Sequence, residues 1–469
     1  MKAKACVIGS GPNGLAGAIV LAQAGLAVDV WEAQPTPGGG ARTMELTLPG
    51  FHHDFGSAVH PLGVGSPFFS SLPLRDHGLD WIHSPAALAH PLDDGTAVTL
   101  ERNLDNVKTS LGVDGPSWQR LVRPFVEHWS GFAQDVLGPV VSIPKHPWLM
   151  ARFGMTALLP ARTIARRFQS ERTRALFAGL AAHSFLSLEE PLSGAFAMLM
   201  GITAHAVGWP IPRGGAQLLT NALCSYLSTF GTEVRVSSPV QSISSLPEYD
   251  VVLCDVTPRQ LLNLGRVQFS RPYRRKLEKF RYGSGVFKVD YALSTPIPWK
   301  ARDCFRAATV HLGGSFDEIA ASERLVRGGQ NTDHPFVLLA QPTLFDPSRA
   351  PAGRHIAWAY CHVPNGSKTD MLEAIENQIE RFAPGFGETV LARSTFSPAN
   401  LESMDANLIG GDINGGVMDF RHFLWRPTWH NYSTSAKNLY ICSSSTPPGG
   451  GVHGMCGYHA ARIALTRRN

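Results

Sequence analysis

The chain has 469 residues, 44% hydrophobic and 17% charged, which excludes a disordered or low-complexity protein and makes two domains or an interleaved pair the expectation. Its net charge of +5 comes from 42 basic and 37 acidic residues spread along the chain, too diffuse for a nucleic-acid-binding surface. The seven cysteines include no Cys-x-x-Cys pair, which argues against both a secreted disulfide framework and a redox-active disulfide; they read as reduced packing residues.

The first element is a short apolar strand, Ala5 to Ile8, running into Gly9-Ser10-Gly11-Pro12-Asn13-Gly14. Gly9 permits the tight turn, Gly11 lets backbone approach a pyrophosphate, and Gly14 lets the following helix lie close on the strand. That helix, Leu15 to Ala24, has an apolar face and meets Gly25 where a C-cap is expected. Its first turn, including Pro12 and Asn13, directs N–H groups and the positive dipole end at the phosphates. Ala27 to Trp31 reads as the next buried strand and delivers Glu32, followed by Ala33, about 20 residues past the glycines, where a carboxylate accepts the hydroxyls of an adenosine ribose. The unit is a dinucleotide-binding one. It begins within the first few residues with no signal peptide ahead of it, and no apolar run is long enough to span a bilayer, so a cytoplasmic location is expected.

Next come Gly38-Gly39-Gly40-Ala41-Arg42-Thr43 and Gly50-Phe51-His52-His53-Asp54-Phe55-Gly56-Ser57-Ala58-Val59-His60-Pro61. A Rossmann unit ending in Glu, then a Gly-Gly stretch with Arg and Thr, then Gly-Phe-x-x-Asp-x-Gly-Ser, resembles the FAD-binding flavoproteins of the amine oxidase and phytoene desaturase type. The resemblance implies that Gly39 and Gly40 run beside the pyrophosphate and flavin. Arg42 is of a type that pairs with a phosphate or a reduced flavin.

Residues 118–207 are rich in aromatic and aliphatic residues punctuated by arginine, among them Trp148, Phe153, Met155, Arg162 and Arg166. They are expected to form a helical cap over the active site, because Pro144, Pro147 and Pro160 break any long helix. A basic amphipathic surface in peripheral contact with a membrane is the alternative. Pro210-Ile211-Pro212-Arg213-Gly214-Gly215, the helix after it, Glu233 to Val236 and Val240 also fit the resemblance, which places a strand around Val240 against the adenine side. Asp250 to Asp255 reads as a further parallel strand.

Near the end, Asn438 to Cys442 reads as a buried strand, followed by Thr446-Pro447-Pro448-Gly449-Gly450-Gly451-Val452-His453-Gly454. This stretch resembles the closing FAD motif of phytoene-dehydrogenase-like proteins, with Gly450, Gly451 and Val452 beside the flavin and a helix expected from about Val452 onward. The whole chain is similar to bacterial phytoene-dehydrogenase-like flavoproteins close to the pyridine nucleotide-disulphide oxidoreductase domain-containing group.

The expected fold class is therefore α/β: a discontinuous Rossmann-type FAD-binding domain from 1–85, 209–265 and 435–469, with an α+β substrate domain from 86–208 and 266–434. The resemblance implies FAD as cofactor, with NAD(P)H an open candidate for external reductant, and an apolar small-molecule substrate. His60 and His453 are the candidate catalytic residues, each in a motif expected near the flavin, where a proton could be exchanged as hydride moves. No metal-ligand spacing is present. Dehydrogenation of a carbon–carbon or related bond is the leading expectation. An NAD(P)H-driven saturase or reductase, a reduced-flavin isomerase, an amine oxidase and a non-catalytic flavin-bound interaction protein remain alternatives, and the oligomeric state is left open.

Overall fold

The computed structural model describes residues 3–139, 142–265 and 267–468. Two sheets organise the chain. The first has five parallel strands in the spatial order Leu439–Ile441, Val251–Cys254, Lys4–Ile8, Ala27–Trp31 and Val234–Arg235. Its strands come from three widely separated stretches of chain. Side chains alternate across it as the pleat requires: Ala5, Val7, Val251 and Leu253 join one apolar cluster, while Cys6, Ile8, Val252 and Cys254 join the other. Burial on both faces is what a parallel sheet demands.

Helix Pro12–Gln23 covers one face and packs against helices Met455–Arg468 and Gln217–Ser228. Pro12 opens it at the first helical position, where no N–H is missed. Gly25 turns the chain out at φ +89°, and Ala27 starts the next strand.

The second sheet has seven strands, in the order Val390–Phe396, Gly285–Leu293, His355–Val363, Val337–Ala340, Thr309–Leu312, Ala86–Pro91 and Ala97–Glu101. Every neighbouring pair is antiparallel except Thr309–Leu312 with Ala86–Pro91. One face carries Phe287, Val289, Tyr291, Ala357, Ala359 and Cys361 against helix Leu372–Phe382. The opposite face, offset by one residue, carries Val286, Lys288, Trp358 and Tyr360 towards a large cavity.

Helix Ser193–Ala206, through Phe196 and Met200, and His183 at the end of helix Glu171–Ala182 wall that cavity from the other side. They are held by Trp118, whose Nε1–H donates to His205 Nε2 at 2.8 Å, and by the aromatic group Phe125, Phe132 and Phe153. Helix Pro147–Ala157 buries Phe153 in this group. No helix among the described residues is long and apolar enough to cross a membrane. All seven cysteines are free, six of them buried.

Two expected elements differ. No strand surrounds Val240; the short strand Val234–Arg235 ends where Ser237 adopts φ +50°. There the N–H groups of Ser237 and Ser238 donate to the carbonyls of Gln34 and Glu32 at 2.9 and 2.8 Å, so the chain crosses the end of the neighbouring strand instead of extending beside it. The C-terminal helix starts at Met455, not Val452. Positive φ at Gly449, Gly451 and Gly454 makes the preceding stretch a series of turns that no helix can include.

Candidate functional site

The glycine loop is shaped by close backbone contacts. Gly9 sits at φ +98°. A Cβ on Gly14 would lie 2.1 Å from the Gly9 carbonyl oxygen, so only glycine lets the helix start against the strand. Asp255, just past strand Val251–Cys254, reaches under this turn. Its Oδ2 accepts the Gly14 N–H at 2.9 Å, and a Cβ on Gly11 would stand 2.8 Å from the same oxygen. Burial, with Asp405 and Glu32 nearby, raises the Asp255 carboxyl to about 7 despite that hydrogen bond.

Glu32 is buried at the end of its strand. Its carboxylate accepts the Ser10 N–H at 2.9 Å, the Ser10 hydroxyl at 2.6 Å and the Gln34 N–H at 2.8 Å, so it fixes the glycine loop, and it does not line the cavity. A carboxylate has about four lone-pair sites, which leaves one for a ribose hydroxyl. Ala33 is exposed and Val240 half-buried, and neither lines the cavity.

Gly11, Pro12, Asn13, Gly39 and Gly40 line one end of the cavity, joined by Gly450, Gly451 and Val452 from the C-terminal turns. A Cβ on Gly39 would come within 3.4 Å of Gly11 Cα, whereas a Cβ on Gly40 would have no atom within 4 Å. The cavity thus offers bare backbone, an open helix start and a buried, unpartnered Asn13 Oδ1. That donor and acceptor set fits a diphosphate-linked dinucleotide. Arg42 stands behind this surface. Its Nε and Nη2 donate to the carbonyls of Gly39 and Met404 at 2.7 and 2.9 Å, and it stacks 4.8 Å over Phe55, so it holds the glycine stretch and does not line the cavity.

Of the two candidate histidines, His60 lines the cavity and His453 does not. Both rings are buried, and burial lowers each to about 4, so both are neutral imidazoles near pH 7. Neither nitrogen of His60 has a partner. His453 Nδ1 accepts the Met455 N–H at 3.0 Å and so caps the C-terminal helix, which explains why a histidine occupies that turn.

The far end of the cavity was not visible in the sequence. Its floor is the second sheet, where Lys288, Tyr360, Leu338 and His311 form one row across four strands and Asp290, Trp358, Ala340 and Thr309 the next. Lys288 is buried and bonds Asp290, with its ammonium 5.3 Å from the Phe396 ring and 5.8 Å from that of Trp358. Burial pushes Lys288 below the usual lysine range and raises Asp290 to about 6. Asp290 in turn lies 3.6 Å from His53, and Asp54 pairs with Arg349 at 3.0 Å. His183, Phe196, Met200 and Trp209 complete the wall. The one available sequence signal was Lys288 and Asp290 two apart in an otherwise apolar strand, both therefore on the same face.

Residues 7–70 match the family model of the NAD(P)-binding Rossmann-like domain. Over 98% of its length the chain is 24% identical to pyridine nucleotide-disulfide oxidoreductase domain-containing protein 2 of Mus musculus, covering 93% of that protein. It is 22% identical to the lycopene-forming phytoene desaturase of Pseudescherichia vulneris over 98% of each chain. Wild-type putrescine oxidase, solved with putrescine bound, shares the fold with a TM-score of 0.61 at 16% identity, over 100% of this chain and 99% of that one.

Proposed function

We propose that this chain, an FAD-dependent oxidoreductase of the phytoene-dehydrogenase-like superfamily that also holds the amine oxidases, dehydrogenates a carbon–carbon or related bond of a largely apolar small molecule. The observation that carries the reading is one continuous cavity. Glycine backbone and a helix start line one end of it, and Val286, Leu338, Phe196, Met200 and Trp209 line the other. When bound, FAD supplies the hydride acceptor, flavin N5, and holds the two electrons until an external acceptor takes them. Gly11, Asn13, Gly39 and Gly40 would hold its diphosphate, Glu32 its adenosine ribose, and the turns at Gly450 to Val452 its ring.

The apolar walls bury the substrate and exclude water from the bond that breaks. His60, uncharged and in the cavity wall, is the group we assign to take the proton from the carbon beside the one that loses hydride. His453 is left to hold the helix. The product carries a new double bond. Under anaerobic conditions the visible spectrum of the holoprotein should show a flavin band that persists on addition of NADPH or NADH and bleaches only with the enzyme's own substrate. Rapid bleaching by nicotinamide would overturn the direction, and absence of the band would overturn the reading.

Gly40→Ala separates cofactor binding from folding. The added methyl meets no protein atom within 4 Å, so thermal stability of the apoprotein should stay within about 0.5 kcal/mol of the parent while flavin retention falls at least tenfold. Full yellow loading would place the dinucleotide elsewhere. Gly11→Val is a poorer probe, because its side chain would strike Asp255 whether or not flavin binds.

We also propose peripheral contact with lipid through the segment around helix Pro147–Ala157. Ile143, Trp148 and Met155 are 95%, 86% and 73% exposed, with exposed Lys145 and Arg152 beside them, the composition of an interfacial surface. The holoprotein should float with anionic liposomes and Trp148→Glu should not; a parent protein that stays in the aqueous fraction would sink the idea.

A further inference from the structure

We propose that the sheet end of the cavity binds a neutral oxygen function, a carbonyl or hydroxyl, on an otherwise apolar substrate; the inference rests on reading the cavity as a cofactor and substrate site. Four of the residues that line this end carry hydrogen-bonding capacity that the protein leaves unmet. Thr309 Oγ1 and Trp358 Nε1 are buried without a partner. The Lys288 ammonium has three donors and, among the described residues, bonds only Asp290.

The fourth is His183, and its bonding sets its tautomer. His183 Nε2 and His311 Nε2 are 3.1 Å apart, so one donates and the other accepts. His311 is fully enclosed and its Nδ1 has no partner. An orphaned buried N–H is rarer than an orphaned acceptor. His311 therefore keeps its proton on Nε2 and donates it, and His183, accepting there, carries its own proton on Nδ1. That N–H belongs to a half-buried ring on the cavity wall and has no acceptor among the described residues. A pure hydrocarbon would leave this donor and its neighbours unsatisfied, which a site built to hydrogen-bond its ligand discriminates against.

The charge balance excludes an ionic group. Lys288 is matched by Asp290 and Arg349 by Asp54 at 3.0 Å, both pairs buried. Burial holds His183 down to about 3 and His311 lower than its ordinary range, so both rings are uncharged. A carboxylate or an ammonium placed here would be a buried charge without a counter-charge. A neutral oxygen satisfies the donors and disturbs no pair.

The test uses five probes of equal chain length on the flavin-loaded protein: dodecane, 2-dodecanone, 1-dodecanol, dodecylamine and dodecanoate, with affinity read by calorimetry and by perturbation of the flavin spectrum. After correction for the probes' differing hydrophobicity, the ketone and alcohol should bind roughly tenfold tighter than dodecane, and the amine and carboxylate no tighter than dodecane. His183→Phe and the near-isosteric Thr309→Val should each cut that advantage several-fold, measured against dodecane bound to the same variant. Equal affinity for ketone and dodecane, preference for either ion, or an advantage untouched in both variants would overturn the proposal. Calorimetric preference for the ketone in a preparation with no flavin band would support this inference and overturn the proposed function, so the two fail separately.

Discussion

Replacing Gly457 by alanine should be the most damaging single-methyl change in the molecule. Its Cβ would land 1.7 Å from the Asn13 carbonyl oxygen and 2.9 Å from the Gly17 amide nitrogen. Helices Pro12–Gln23 and Met455–Arg468 meet there backbone to backbone, and the contact is reciprocal: a Cβ on Gly17 would lie 3.3 Å from the Gly457 carbonyl oxygen. Neither side can yield, because the first helix begins on the glycine turn and the second is capped by His453. Overpacking of this severity costs about 3 kcal/mol or more. Gly457→Ala should give a lower thermal midpoint and loss of bound flavin together. A variant as stable and as yellow as the parent would show that the two helices do not meet this way.

Asp255→Asn should act in the opposite sense, by an amount that grows as pH rises from about 4 to 7 and then levels off. The carboxyl titrates near 7 when folded and near 3.9 in an unfolded chain. Between these values the folded state holds the proton more tightly, so stability present at low pH is lost as pH rises from about 4 through 7. The ionised, buried carboxylate then costs up to about 4 kcal/mol. Asparagine keeps an oxygen for the Gly14 N–H and carries no charge. Its thermal midpoint should therefore match the parent's near pH 4, exceed it slightly by pH 5 and exceed it fully at pH 8.5. A gain of equal size at all three values would mean that Asp255 is not the titrating group.

The glycine turn, the helix after it and the two flanking strands were legible because each is a local pattern: apolar runs of strand length, a proline at a helix start and glycines where φ must be positive. The same kind of reading identified the parallel strand ending at Cys254 and the closing strand at Leu439–Ile441. It failed where local patterns are shared. Gly449 to Gly454 repeats the spacing of the first glycine turn, yet its positive φ values make it a chain of turns with the helix delayed to Met455. A strand around Val240 seemed natural beside Glu233 to Val236, but the left-handed Ser237 ends it. What pattern reading could not supply was proximity. Asp255 beneath Gly11, His183 against His311 and Lys288 beside Asp290 each acquire chemistry only when folding brings them to one place. In sequence, Lys288 and Asp290 look like the solvated side of an ordinary strand.

The interleaved first sheet also sets an order of events during synthesis. Strand Val251–Cys254 pairs with Leu439–Ile441 on one side and Lys4–Ile8 on the other, so this sheet lacks an edge until more than nine-tenths of the residues have been translated. The N-terminal unit cannot gain its partner helix, or the turns from Gly450 to Val452 that line the cavity, while a ribosome still holds the segment from Leu439 onward. Long-range pairings of this kind form slowly. Flavin capture should therefore wait for the segment that carries Leu439–Ile441 and the helix after it, and a nascent chain stalled before Leu439 should emerge colourless and dependent on chaperones.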